Sequence, residues 1–132
     1  MTIIRQYRDE DRAAVEGMLR AQGFRYELPE LNSDSLFITR LVVENEEGKA
    51  VQALLGRLTS EAYFLEEPSS ASPSVRMRRF LALHSRACEE GREAGVDSVH
   101  AWLPPEVSEK FGSQLCKLGW TQYTWPVFMK RL

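Results

Sequence analysis

The sequence predicts an α/β fold with a mixed, mainly antiparallel, twisted sheet that is flanked by helices. Leu36–Glu44 and Ala50–Thr59 are rich in Val, Leu and Ile, and the turn residues 45–48 join them, as in an antiparallel hairpin. From Met77 to Gly91, apolar residues recur at helical spacing over four turns. This pattern predicts a long amphipathic helix that packs one face on the sheet.

Length and composition restrict the class of protein. With 132 residues, 43% of them hydrophobic, the chain can bury a core of its own, and we expect a single domain over residues 1–132. The formal charge of -2 creates no general attraction for nucleic acid or anionic lipid. Charged residues interrupt the N-terminus, and no apolar run is long enough to span a membrane. We therefore expect a cytoplasmic protein with no nucleic-acid and no membrane partner.

The cysteines and histidines do not suggest a metal site. Cys88 and Cys116 lie inside helical patterns, and with two histidines the chain has no recognisable zinc ligand set. We expect both thiols to be buried or half-buried and the protein to bind no metal.

The N-terminal half opens with a strand and a helix. Ile3, Ile4 and Tyr7 indicate a short strand, and Asp9 offers a cap for a helix that ends at Gly23. After the hairpin, Ala62–Glu66 is expected to continue the antiparallel meander as a third strand. The sheet of this half is therefore predicted to be mainly antiparallel.

The C-terminal half alternates helices and strands. The long helix, which we expect to begin at Val75, ends at Gly95, and a short buried strand follows around Val99. A second amphipathic helix starts at the pair of prolines 104–105 and closes at Gly119. Two final strands are predicted at residues 120–123 and 127–132, and their exposed edges make a homodimer plausible.

This order of elements resembles the GNAT superfamily of N-acyltransferases over nearly the whole chain. Three short stretches carry the resemblance: the opening Ile4–Asp11, the hairpin Leu41–Gly48, and Lys117–Trp120, which is similar to the family's Lys-Leu-Gly-Phe. The resemblance implies a sheet that opens between the fourth and fifth strands, here Ala62–Glu66 and Ser98–Trp102. Acetyl-CoA or another acyl-CoA would enter that opening.

The resemblance also implies how the acyl-CoA would be held. Its pantetheine would pair with the main chain of Phe64 and Leu65, and its pyrophosphate would lie at the N-terminus of the long helix, where free N–H groups and the helix dipole attract anions. The family's loop there reads Gln/Arg-x-x-Gly-x-Gly/Ala, because glycine lets the backbone approach phosphate. This chain has Val75, Arg78 and Phe80 at those three positions.

Arginines at the same helix end offer another way to hold the phosphates. Arg76, Arg78 and Arg79 follow the loop directly, and guanidinium groups bind phosphate well. A solvated basic turn explains them equally well, although the helix dipole disfavours cations at this end.

The remaining site residues concern the amine acceptor, a small molecule or a peptide. Glu66 or His100 is a candidate base, since either side chain can take a proton from an ammonium group; a solvated loop edge is the alternative for Glu66, and a solvent-facing position for His100. Tyr26 is a candidate substrate wall or, alternatively, a cover for the core. Leu115 occupies the place of a tyrosine that in many members protonates the leaving thiolate, so no acid acts from there.

The sequence is compatible with two functions. The first is acyl-CoA-dependent N-acyl transfer, most simply acetyl transfer to an amine. The second is a non-catalytic binding or interaction module that keeps the fold but has filled its CoA site, which the glycine-free loop and Phe80 favour.

Overall fold

The computed structural model describes residues 2–23, 27–32 and 36–132. The protein is a mixed α/β structure with a three-stranded antiparallel sheet, a short parallel strand pair and three α-helices among the described residues. The chain divides into two compact units, one ending at His100 and the other comprising Ala101–Leu132. The expectation of one GNAT-like domain over the whole chain stays a prediction.

The antiparallel sheet has the strand order β1-β2-β3, with β1 at Ile3–Gln6, β2 at Phe37–Glu44 and β3 at Ala50–Arg57. The β2–β3 turn is closed by Asn45, whose Oδ1 accepts hydrogen bonds from two backbone N–H groups beyond it. Gly48 in this turn has a φ of +77°, which favours glycine. The predicted hairpin is confirmed.

The first helix packs on this sheet. A 3₁₀ turn at Asp9–Asp11 leads into α1, Arg12–Ala21, and Gly23 follows with a φ of +71°. Val15 from α1 forms a buried cluster with Leu31 and Phe37. The predicted strand, helix and glycine stop are therefore confirmed, and the core lies between α1 and the sheet.

A partly buried charge network joins the sheet to the start of α1. Two nitrogens of the Arg5 guanidinium donate to the two carboxylate oxygens of Asp11 at 2.7 and 2.9 Å, and Arg5 Nε pairs with Glu44. Asp11 also accepts from the backbone N–H of Arg8 at 2.8 Å. The hydrogen bonds that Arg5 donates lower the pKa of Asp11 to about 2, and the same bonds to Asp11 and Glu44 raise the pKa of Arg5. This network fixes β1, β2 and the 3₁₀ turn to one another.

The second sheet is a parallel pair, which corrects one prediction. Its strands are β4, Ser60–Glu61, and β5, Val99–His100, and the long helix α2, Pro73–Glu93, connects them. The expected antiparallel third strand at Ala62–Glu66 is wrong, since these described residues form no strand. Among the described residues, no neighbouring strand pairs with this apolar segment beyond Ala62. A strand needs such a partner for its backbone groups.

The amphipathic stripe of α2 is narrower than predicted. Phe80 is buried, and Met77, His84, Cys88 and Gly91 are half-buried, but Leu81 and Ala87 are exposed. The helix ends as expected at Gly95, whose φ is +82°.

The second unit contains α3, Pro105–Lys117, which closes at Gly119 with a φ of +94°. Cys116 on this helix is exposed, so the expectation of a buried or half-buried thiol is wrong for it. The strand pair predicted at 120–123 and 127–132 is also wrong, because these described residues are irregular. Residues 121–132 are all exposed, and Pro126 removes one ladder donor. The homodimer expected from edge strands here stays a prediction.

Within the described part of the chain, no helix has the length and apolar character that a membrane span requires.

Candidate ligand site at the start of the long helix

The long helix begins two residues earlier than predicted, because Ser72 caps it. Ser72 has extended backbone angles, and its Oγ accepts a hydrogen bond from the backbone N–H of Val75 at 3.4 Å. Pro73 occupies the first helical position, where its lack of an N–H costs nothing. Of the first three helical residues, only Ser74 therefore retains an N–H that the cap leaves open. The main chain alone is a poor cradle for a pyrophosphate.

The three predicted arginines lie in three different environments. Arg76 Nη1 donates to Glu66 Oε2 at 2.9 Å, and the two side chains are 24% and 32% exposed. Arg79 Nη1 donates to Ser70 Oγ at 3.4 Å. Arg78 is exposed. The structure thus brings Glu66, a candidate base, together with Arg76, a candidate phosphate ligand.

The loop between these partners is held by its own hydrogen bonds. Glu67 Oε1 accepts from the backbone N–H of Ser69 at 3.1 Å and from its hydroxyl at 2.8 Å. The Ser70 N–H donates to the Glu67 carbonyl at 3.0 Å, which closes a turn. The bonds from Ser69 hold the pKa of the Glu67 carboxyl below its usual value. These contacts carry the chain from Glu66 round to the helix cap.

An aromatic pair joins α2 to the segment that follows β4. Phe80 is 9% exposed, and its ring meets the edge of Phe64 at a centroid distance of 5.0 Å and an angle of 71°. On the helix, the Phe80 ring is 5.9 Å from His84, whose Nε2 lies 3.9 Å from Cys88 Sγ. Phe80 therefore fastens α2 to the segment that follows β4.

The predicted pantetheine segment lies beyond the end of the strand pair. Phe64 is 48% exposed and Leu65 is 89% exposed. The parallel ladder ends where the N–H of Ala62 donates to the carbonyl of His100 at 2.8 Å. His100 is half-buried at this last contact. The main chain at Phe64 and Leu65 is therefore outside the ladder that the described residues form.

Tyr26, the predicted substrate wall, lies outside the described residues.

Sequence reasoning missed the role of Ser72 as the cap of α2. A Ser-Pro pair directly before an apolar helical pattern is the usual signature of a cap and first helical position. That signal was sufficient to place the helix start at Pro73.

The site offers polar and charged groups rather than metal ligands. Among the residues that the structure describes, no three His, Cys, Asp or Glu side chains are grouped as a metal ion would require. The site presents a basic helix end, one carboxylate that is paired with an arginine, and an exposed irregular segment after β4. No protein-family model, curated protein or solved structure matches the chain. The functional conclusion therefore depends on the residues of this site and their geometry.

Proposed function

We propose that the protein is a GNAT-like, acyl-CoA-dependent N-acyltransferase that acts on a small-molecule or peptide amine. The observation that carries the proposal is the parallel pair β4–β5, which α2 connects and which ends at Ala62. The exposed, irregular segment after Ala62 contains Phe64 and Leu65, whose main chain lies outside the ladder. A pantetheine arm has amide groups, and such groups pair well with free main-chain donors and acceptors.

In this proposal, side chains rather than backbone N–H groups bind the phosphates of acyl-CoA. Ser72 and Pro73 leave little of the helix N-terminus open, whereas Arg76, Arg78 and Arg79 supply three guanidinium groups over the first two turns. Arginine is always charged and presents a planar set of donors that fits phosphate oxygens. The arginines therefore replace the contacts that a glycine loop provides.

The reaction itself needs few protein groups. The amine nitrogen attacks the thioester carbonyl carbon, the C–S bond breaks, and CoA leaves as a thiolate that takes a proton from water. Glu66 or His100 accepts the proton that the amine loses, directly or through a water molecule. Most of the rate enhancement comes from aligning amine and thioester.

Titration with CoA tests this function. We expect a variant with Arg76→Ala, Arg78→Ala and Arg79→Ala to bind CoA at least about tenfold more weakly than the wild type in calorimetry, since each lost charge-assisted contact costs about 1.5 kcal/mol or more. The control variant carries Arg20→Ala, Arg86→Ala and Arg92→Ala, which makes the same charge change elsewhere. Equal affinity of the wild type and the first variant would contradict the assignment.

A second function is favoured by the contact between Phe64 and Phe80. The Phe80 ring is buried and the helix start is capped, and the resemblance assigns this place to the phosphate loop, so its filling is what we expect of a non-catalytic binding or interaction module. A thermal shift with acetyl-CoA separates the two functions, because a ligand that binds the native state raises the melting temperature. No shift at millimolar acetyl-CoA would favour the module.

A further inference from the structure

We propose that Glu66 competes with the phosphates of acyl-CoA for Arg76, so that binding of the phosphate end releases Glu66 for proton transfer. This inference rests on the proposed function and adds to it a control within the site. Arg76 then has two successive partners. The carboxylate is its partner in the free protein, and a phosphate is its partner in the complex.

The first observation is the contact between the two side chains. Arg76 Nη1 and Glu66 Oε2 are 2.9 Å apart and join the exposed segment after β4 to the first turn of α2. Nearby polar groups are engaged otherwise, since Glu67 accepts from Ser69 and Arg79 donates to Ser70. Glu66 is therefore the carboxylate that neutralises part of this basic helix end.

The second observation is that Arg76 is only partly satisfied. Its Nε is buried and has no hydrogen-bond partner among the described residues. The contact to Glu66 uses one terminal nitrogen, whereas a guanidinium can donate through two nitrogens to one phosphate. A phosphate group thus offers Arg76 more than its present partner does.

The third observation is the exposure of the pair. At 24% and 32% side-chain exposure, water reaches both groups, and ion pairs with such access contribute little net stability. Exchange of one partner for another is therefore easy, and it requires no change in the helix, because Ser72 and not Arg76 caps it.

The exchange links the order of binding to the chemistry. While Glu66 is paired with Arg76, one of its oxygens is occupied and the carboxylate is held toward the helix. Once a phosphate engages Arg76, both oxygens of Glu66 can accept a proton from the amine. Acyl-CoA is then expected to bind before the amine.

The experiment compares Glu66→Gln with Glu67→Gln. Both variants remove one negative charge next to the loop, but only the first removes the charge that pairs with Arg76. We expect Glu66→Gln to bind CoA about threefold to fivefold more tightly than the wild type in calorimetry, in line with the strength of a partly exposed ion pair, while its turnover with acetyl-CoA falls. Glu67→Gln should change the affinity less than about twofold, as expected for screened surface charge.

A double variant measures the coupling between Glu66 and Arg76 in CoA affinity. Adding Arg76→Ala to Glu66→Gln should abolish the gain in affinity, since the competition needs both partners. The competition is contradicted if the wild type binds CoA and Glu66→Gln binds it no more tightly. It is also contradicted if Glu67→Gln shows the same gain in CoA affinity. In both cases the proposed function stands. If neither the wild type nor Glu66→Gln binds CoA, both are overturned. Binding by Glu66→Gln alone supports the competition most directly.

Discussion

Two regions of the first unit differ in what holds them together. The sheet β1-β2-β3 and α1 share a buried cluster of Val15, Leu31 and Phe37 and a partly buried charge network around Arg5. In α2, by contrast, the only buried residue over Pro73–Glu93 is Phe80, and the helix start is held by a cap, an ion pair and one ring contact. The first region is stabilised by packing, and the second depends on polar contacts that a ligand can replace. The ligand site that we propose lies in this second region.

The largest expected effect comes from truncating a phenylalanine in each region. Phe37 and Phe80 are almost equally buried, at 8% and 9% exposure. Phe37→Ala should lower the free energy of unfolding by about 3–5 kcal/mol, since its packed neighbours cannot close the cavity. Phe80→Ala should cost about 2 kcal/mol or less, because the half-exposed Phe64 ring can move into the space.

Urea denaturation of both variants measures this difference. The unfolding midpoint should fall much further for Phe37→Ala than for Phe80→Ala at an unchanged slope. Equal losses would mean that the start of α2 is as firmly packed as the sheet, and the contrast between the regions would fail.

The next effect concerns Asp11 and acid. Because hydrogen bonds from Arg5 lower the pKa of Asp11 to about 2 from an unfolded value of 3.8, its contribution to stability is present above the unfolded value and is lost as pH falls through the folded value. Asp11→Asn should lower the free energy of unfolding by about 2 kcal/mol at neutral pH, as for other hydrogen bonds to charged groups. It should also flatten the loss between about pH 4 and pH 2.

Denaturation at a series of pH values from 6 to 2 tests this prediction. Glu46→Gln is a suitable control, since it removes an exposed carboxyl outside the network. A wild type and an Asp11→Asn variant with parallel pH profiles would show that Asp11 does not carry this share of the acid sensitivity.

The smallest expected effect is the loss of the helix cap. Ser72→Ala removes the acceptor for the Val75 N–H and should cost about 1 kcal/mol, concentrated in the first turns of α2. Hydrogen exchange should show faster exchange there and unchanged protection in β2. Ser74→Ala, which alters a hydroxyl in the same turn without removing the cap, should leave protection nearly unchanged. Equal protection in Ser72→Ala and the wild type would show that the Ser72 cap does not stabilise the start of α2.

The elements that the sequence predicted correctly are those with local signals. The turn at Asn45–Gly48 and the alternation on either side specify the β2–β3 hairpin, and the positive-φ glycines at 23, 95 and 119 end the three helices. Sequence reasoning failed at Ala62–Glu66 and Val127–Leu132, where the apolar residues suggested strands. A strand needs a neighbour across which its backbone pairs, and composition does not show whether a neighbour is present.

The candidate site divides in the same way. The sequence by itself determined that a serine loop and three arginines begin a long helix, because residue order, helical period and cap chemistry are local. Only the tertiary structure decided that Arg76 pairs with Glu66, that Phe80 meets Phe64, and that β4 runs parallel to β5. These partners are distant in the sequence, and which of several similar charges or rings meet depends on how the whole chain folds back on itself.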